Sequence, residues 1–378
     1  MAEIPVSGRV LTWAREFRGL SVEEAAERLG MSVDELTAFE TEEKQPSLTK
    51  FEKLAATYRL PQATLFMRTP PQDPKMPTDF RTFESGSPRA SFEFHVALSN
   101  VRTLQATIGR IDEEDSEFQR PTLRTYNSNS NPGTEGENER ESIGVTVDMQ
   151  LKWDSGSGFR RWRAIIERLG ISVYLQKFDL RDCRGCSIWD DAGAPAILIN
   201  KMEESENART FTLIHEYAHL LLRRPGISDL RNDNAIEAYC NRFAAAFLMP
   251  VAALRRVLPM WPDRVADWQD ANIRSAASDL NVSAQALAIR LEELGKAKDG
   301  LSRRFAHGPV KKKGKAKVNY VVKRLSEIGG HYTATVISAL DREIIDSVEA
   351  SQALALKTPQ IEHARQYVER QLKLASAG

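Results

Sequence analysis

Two histidines four residues apart, His215 and His219, with Glu216 beside the first, constrain this chain more than any other feature of it. Residues four apart stack on one face of a helix, one turn above the other. Two imidazoles so placed can reach one tetrahedral zinc ion at about 2.0–2.1 Å. Glu216 lies where its carboxylate can reach a water at such an ion without binding the ion itself. That supplies two ligands and a base, and a catalytic zinc site wants a third protein ligand. Pro225-Gly226 breaks the helix, and a polar loop follows through Ser228, Asp229, Asn232, Asp233 and Asn234. A second apolar-periodic run then begins, with Glu237 and Asn241 one turn apart. A carboxylate from this second helix completes a His, His, Glu set and leaves the fourth position to water. Asn241, on the same face, can hydrogen-bond the outer nitrogen of a ligand histidine. The alternative for Glu237 is a solvated helix-start carboxylate favoured by the helix dipole.

Arg209-x-Phe-Thr-x-x-His-Glu-x-x-His, followed by Glu237-x-x-x-Asn241-x-Phe-Ala-Ala-x-x-Leu-Met-Pro250, resembles the ImmA/IrrE family of metallo-endopeptidases. Its members are bacterial and phage proteins, several of which cut a repressor and so switch on its genes. The resemblance implies His215, His219 and Glu237 as ligands of one zinc ion per chain, with Glu216 as the catalytic glutamate. The same donors also suit manganese. A second oxyanion donor is usual in such sites. Tyr239, Tyr217 and Arg209 are the candidates by proximity, although Arg209 serves equally well as a tether of the metal helix.

At 378 residues the chain is long enough for two or three domains. Lys plus Arg and Asp plus Glu number 52 each, so no global field draws it to nucleic acid, and any such binding must be local. Three cysteines, an odd number, argue against a disulfide framework and for a reducing interior. Cys183-x-x-Cys186 has no second half with which to build a metal site. No apolar run approaches the roughly 18 residues of a membrane span, and the N-terminus lacks signal-peptide character. The expectation is a cytoplasmic protein with no membrane contact.

From residue 8 to about 67 the chain reads as short helices. Val10, Leu11, Ala14 and Phe17 form one stripe; Ser21 with Glu24 makes a capping box. Leu36 and Phe39 point inward from a helix over 33–40, and Leu48, Phe51, Leu54 and Ala55 pack the next. The order Leu20-Ser21-x-Glu-Glu-Ala-Ala, Leu29-Gly30-Met31-Ser32, Phe39-Glu40, Gln45-Pro46-Ser47 resembles the Xre/Cro type of helix-turn-helix. That resemblance implies DNA binding with helix 33–40 in the major groove. Its outward residues are Asp34, Glu35, Thr37 and Ala38, and two carboxylates there face phosphates unfavourably. Docking of a protein, or shielding of the peptidase, fits them better, with Trp13 as either a surface anchor or a core residue.

Pro70-Pro71, Pro74, Pro77 and Pro88 mark an extended connector, within which Pro77-Thr-Asp-Phe-Arg81 resembles the linker that precedes this peptidase. A helical period returns over 92–111, and Asp112-Glu-Glu-Asp115 ends it as a solvated acidic run. The nearly apolar-free stretch from Tyr126 to Glu141 is expected to be a mobile loop. Helices follow over 145–152 and 159–169, then three strands at 171–175, 186–189 and 196–200, the last two joined through Asp190, Asp191 and Gly193. In the family this sheet precedes the metal helix, and its outer strand can pair with an extended substrate. Cys186 falls where a bulky apolar residue is usual, which favours packing over chemistry. Beyond Pro250 the chain stays helical, and 280–291 resembles the family's closing helical pair. Arg303-Arg304 and the lysines from Lys311 to Lys317 make a basic linker. A further helical unit runs from 319 to about 373, where His331 fits a helix-end imidazole better than a ligand.

The expected architecture is mainly α with a small antiparallel sheet, an α+β fold. Its parts are a helix-turn-helix domain at 1–68, a Pro-rich linker at 69–91 and a zincin-like peptidase domain at 92–298. A basic linker at 299–318 and a helical region at 319–378 complete it. The expected function is zinc-dependent limited proteolysis of one regulatory protein, a repressor or antitoxin-like partner, in a stress, phage or mobile-element setting. Two other readings use the same residues differently. One is a DNA-binding regulator with an inactive or sensory peptidase fold, and the other is an antitoxin-type protein that binds a toxin. The intact His215, Glu216, His219 and Glu237 favour the enzyme, because a scaffold needs none of the four.

Overall fold

The computed structural model describes residues 3–71, 90–115, 122–189, 194–223, 234–306 and 319–376. The prolines from 74 to 88, the turn at 190–193, the Pro225-Gly226 break with its polar loop and the lysines at 311–317 lie outside the described residues. The chain forms two compact units, Met1–Arg102 with Lys177–Asp182, and Thr103–Gln176 with Cys183–Gly378.

The first unit contains α1 (Gly8–Phe17), α2 (Val22–Leu29), α3 (Val33–Glu40), α4 (Leu48–Tyr58), α5 (Gln62–Leu65) and the start of α6 (Phe92–Glu114). Local chemistry sets these boundaries. The Ser21 hydroxyl accepts from Glu24 N at 3.2 Å while the Glu24 carboxylate accepts from Ser21 N at 2.8 Å, which satisfies two orphan donors of α2. Ser32 caps α3 in the same manner. Val10, Leu11, Leu36, Phe39, Phe51 and Leu54 are fully buried in the core. Arg15 grips Glu40 through two nitrogens at 2.8 and 2.9 Å, fastening α1 to α3. Trp13 stacks on Phe17 with ring centres 5.0 Å apart and packs against this core. On α3, Asp34 and Thr37 are exposed, and Glu35 is paired with Lys44 and Lys50.

The second unit carries the rest of α6, then α7 (Pro132–Ser142), α8 (Val147–Leu151), α9 (Gly158–Arg168), β1 (Ser172–Gln176), β2 (Gly185–Ile188) and β3 (Ala196–Asn200). After the sheet come α10 (Glu206–Leu221), α11 (Asn234–Leu248), α12 (Val251–Val257), α13 (Asp270–Asp279) and α14 (Ala284–Glu293). The last four are α15 (Tyr320–Ile328), α16 (Gly330–Asp341), α17 (Ser347–Leu354) and α18 (Ile361–Ser376). α10 packs on β2 and β3, while α9, α15 and α16 pack around β1.

Three expectations are corrected. The sheet is mixed, not antiparallel: its order is β1-β3-β2, with β3 parallel to β1 and antiparallel to β2. β3 is central and buried along its whole length, and an unbroken apolar run of this kind says that a strand is interior without naming its neighbours. The expected loop over 126–141 is largely α7. Asn131 caps it by accepting from Gly133 N and Thr134 N, and Pro132 occupies the first turn. It lacks an apolar stripe because its inward side chains are polar. Arg140 donates to Phe247 O at 2.9 Å, a terminal carbonyl of α11, and Glu139 receives two tyrosine hydroxyls. At Gly136 a Cβ would stand 2.6 Å from Phe243 O, so glycine lets α7 and α11 touch backbone to backbone. The acidic run at the end of α6 is also not simply solvated, since Asp115 is buried and accepts both terminal nitrogens of Arg342 at 2.5 and 2.7 Å.

Candidate metal centre

α10 is capped by Ser205, whose hydroxyl accepts from Ala208 N at 3.2 Å, and its middle is buried on all sides. That burial places His215, Glu216 and His219 at 8%, 2% and 2% exposure. α11 brings Glu237 across from its first turn. His215 Nε2 lies 3.2 Å from Glu237 Oε2, and His219 Nε2 lies 3.2 Å from Glu237 Oε1. The two Nε2 atoms are themselves 3.2 Å apart. One ligand atom from each of the three residues falls within 4.8 Å of the others. Donors about 2.0–2.1 Å from a common tetrahedral ion are separated by about 3.3–3.4 Å, so the three side chains are already spaced to hold one metal ion.

Asn241 Oδ1 stands 3.0 Å from His215 Nδ1. An amide oxygen only accepts, so the imidazole proton belongs on Nδ1 and the Nε2 lone pair faces the cluster. Burial disfavours the charged form of His215, yet its hydrogen bond to Glu237 and the charges of Glu216 and Glu237 raise its pKa. Burial likewise pushes the Glu237 carboxyl up, but the two histidines outweigh it and bring the pKa down to about 2. Both shifts arise from the same pairing of imidazole and carboxylate, and a metal cation held there would compete with a proton for it.

His215, Glu216 and Glu237 line a cleft of about 660 Å³, with His219 one turn along α10 from His215. β2 is an edge strand, and Gly185 at its start borders the cleft beside Arg184. A Cβ on Gly185 would meet Thr212 Cγ2 at 2.7 Å and Glu216 Cγ at 3.3 Å. Glycine here lets the strand edge come against the metal helix.

Of the remaining candidates, Tyr217 and Arg209 are engaged elsewhere. Tyr217 is 1% exposed and its hydroxyl donates to Glu139 Oε1 at 2.5 Å. It is two residues from His215, so it faces away from the metal side of α10. Tyr239 and Arg209 are not among the residues lining the cleft; Arg209 lies over the Phe159 ring at 5.2 Å, as a tether of α10 would. His331 is a helix-end residue whose Nδ1 is 2.9 Å from Ser172 Oγ. Burial lowers its pKa to about 4. Sequence reasoning missed Gly185 and the α14 residues Ala286 and Ile289, which line the cleft. The signals were a glycine opening a strand and a three-residue spacing on α14.

Residues 166–292 match the protein-family model described as the IrrE N-terminal-like domain, a peptidase family, and residues 8–65 match that of a helix-turn-helix domain. Searches of the curated proteins and of the solved structures found no match. The first span contains His215, Glu216, His219 and Glu237, and the second coincides with α1 to α5. These are the two domains that the ImmA/IrrE resemblance implies. Among the described residues no helix is long and apolar enough to cross a membrane.

Proposed function

We propose that this chain, an IrrE N-terminal-like peptidase domain together with a helix-turn-helix domain, is a zinc-dependent endopeptidase that cuts one regulatory protein at a limited site. The observation that carries this reading is the mutual spacing of His215, His219 and Glu237 beside a cleft lined by His215, Glu237 and Glu216. Two imidazoles and a carboxylate are the donor set of a catalytic zinc with an open position. Zinc bound there supplies a polarised carbonyl and a water acidified toward about pKa 7. Asn241 holds the His215 ring in its ligand orientation. Glu216 takes the proton of the attacking water and returns it to the leaving amine nitrogen. Gly185, at the start of the edge strand β2, lies in the cleft wall, where an extended polypeptide would run past it. A repressor or antitoxin-like regulator is the substrate that the family resemblance suggests, and the odd cysteine count favours a cytoplasmic setting.

The test is incubation with repressors encoded near this gene, with and without a chelator, followed by mass analysis of the fragments. A single cut that the chelator suppresses and added zinc restores is the expected result. No cut in any partner, or one indifferent to chelation, contradicts the reading.

A second reading, operator binding, is supported by the helix-turn-helix match and by Lys44 and Lys50, which compensate Glu35 on α3. A gel shift on operator DNA that scrambled DNA does not reproduce at physiological salt would favour it.

A further inference from the structure

The cleft has a wall that the ligand cluster and Glu216 do not use. On α14, Ala286, Ile289 and Glu293 fall at i, i+3 and i+7, one face of the helix, and all three line the cleft. Ile289 is 41% exposed there, whereas Leu287, Ala288 and Leu291 on the same helix are buried. α10 adds Ala208 and Phe211, seven and four residues before His215 and so on the metal-facing side. α11 adds Ala245, one turn beyond Asn241. The three alanines add little bulk beside Phe211 and Ile289, which makes this part of the lining apolar, while Glu293, Gln285, Ser283 and Arg242 line the same cleft with polar groups. A polar side chain seated against the alanines, Phe211 and Ile289 would lose water without gaining a hydrogen bond from them. An apolar one would bury its own surface and that of Ile289.

Resting on the peptidase reading, we propose that this wall is a side-chain subsite. It takes a large aliphatic or aromatic side chain of the substrate polypeptide beside the scissile bond, and it decides which bond is cut. Its continuity with His215 and Glu237 in one cleft is what assigns it to the substrate.

The experiment uses the zinc-loaded full chain and a mixture of random-sequence peptides, with cut positions read by mass spectrometry. One position next to the cut bond should be enriched in Leu, Ile, Met and Phe. Ile289→Glu should lower kcat/KM for those peptides by about tenfold or more, with zinc content and Tm unchanged. Ala286→Leu, which adds bulk to this wall, should shift the preference toward Ala and Val, a change that a merely structural role would not produce. Cutting with no apolar preference, or a preference that both variants leave intact, overturns the subsite and spares the peptidase reading. A change of oligomeric state in Ile289→Glu with the preference intact would assign the wall to a second copy of the chain instead. No cutting of any peptide by the unaltered protein sinks both.

Discussion

The side-chain oxygen of Asn241 is 3.0 Å from Nδ1 of His215, one turn of α11 beyond Glu237. One helix thus carries both the carboxylate proposed as a ligand and the group that orients the imidazole of His215 on another helix. Loss of such an outer partner costs about 10–100-fold in metal affinity. Asn241→Ala should therefore weaken zinc binding by that factor in a chelator competition while leaving the fold intact. Unchanged affinity would remove Asn241 from the site.

The titration of His215 and Glu237 sets a pH dependence. His215 is raised above its ordinary 6.5, so its contribution to stability is full below 6.5 and fades as pH climbs through the raised value. Glu237 is depressed from 4.5 to about 2, so its contribution is full above 4.5 and fades as pH falls toward about 2. Zinc must displace the His215 proton and binds more tightly as pH rises. The gap in Tm between zinc-loaded and chelated protein should widen from mildly acid to mildly alkaline pH. A gap that is flat or narrows with pH contradicts the assignment.

Tyr217 sits next to the proposed base in sequence but serves Glu139. Tyr217→Phe removes one of two hydroxyls held by that buried carboxylate, the other being Tyr126 at 2.8 Å. The expected cost is about 1–3 kcal/mol in urea unfolding, with kcat/KM for peptide cleavage unchanged. Undiminished stability with a large loss of kcat would restore Tyr217 as an oxyanion donor.

The C-terminal helices are fastened by a buried ion pair. Arg163 Nε donates to Glu167 Oε1 at 3.1 Å, its terminal nitrogens reach Ser326 O at 2.7 Å and Val173 O, and Glu167 accepts from Gly330 N at 2.9 Å. Removing one partner strands a buried charge, at a cost of about 3–5 kcal/mol. Arg163→Met should lower the urea midpoint accordingly, and adding Glu167→Leu should recover part of it. Equal loss in the single and the double variant would mean that the pair is not what couples α9, β1 and α15–α16.

Where the chemistry was local, the sequence was readable. Ser21 and Ser32 mark helix starts within three residues of their partners, and the spacing of His215 and His219 fixes their shared face of α10. Features built from distant partners were not readable. Glu139 is stabilised by a tyrosine 78 residues away, Asp115 by an arginine 227 away. β3 is flanked by two strands whose order no periodicity encodes. α7 went unseen because apolar periodicity is silent about a helix that buries a glycine, a glutamate and an arginine.

Glu216 is proposed to move the proton while His215, His219 and Glu237 only hold the ion. Glu216→Gln changes one atom of that arrangement, and zinc content and substrate cleavage can be measured on the same preparation. The account predicts zinc still bound at the unaltered protein's stoichiometry and cleavage slower by about a hundredfold or more. Wild-type cleavage by the zinc-loaded variant would contradict it.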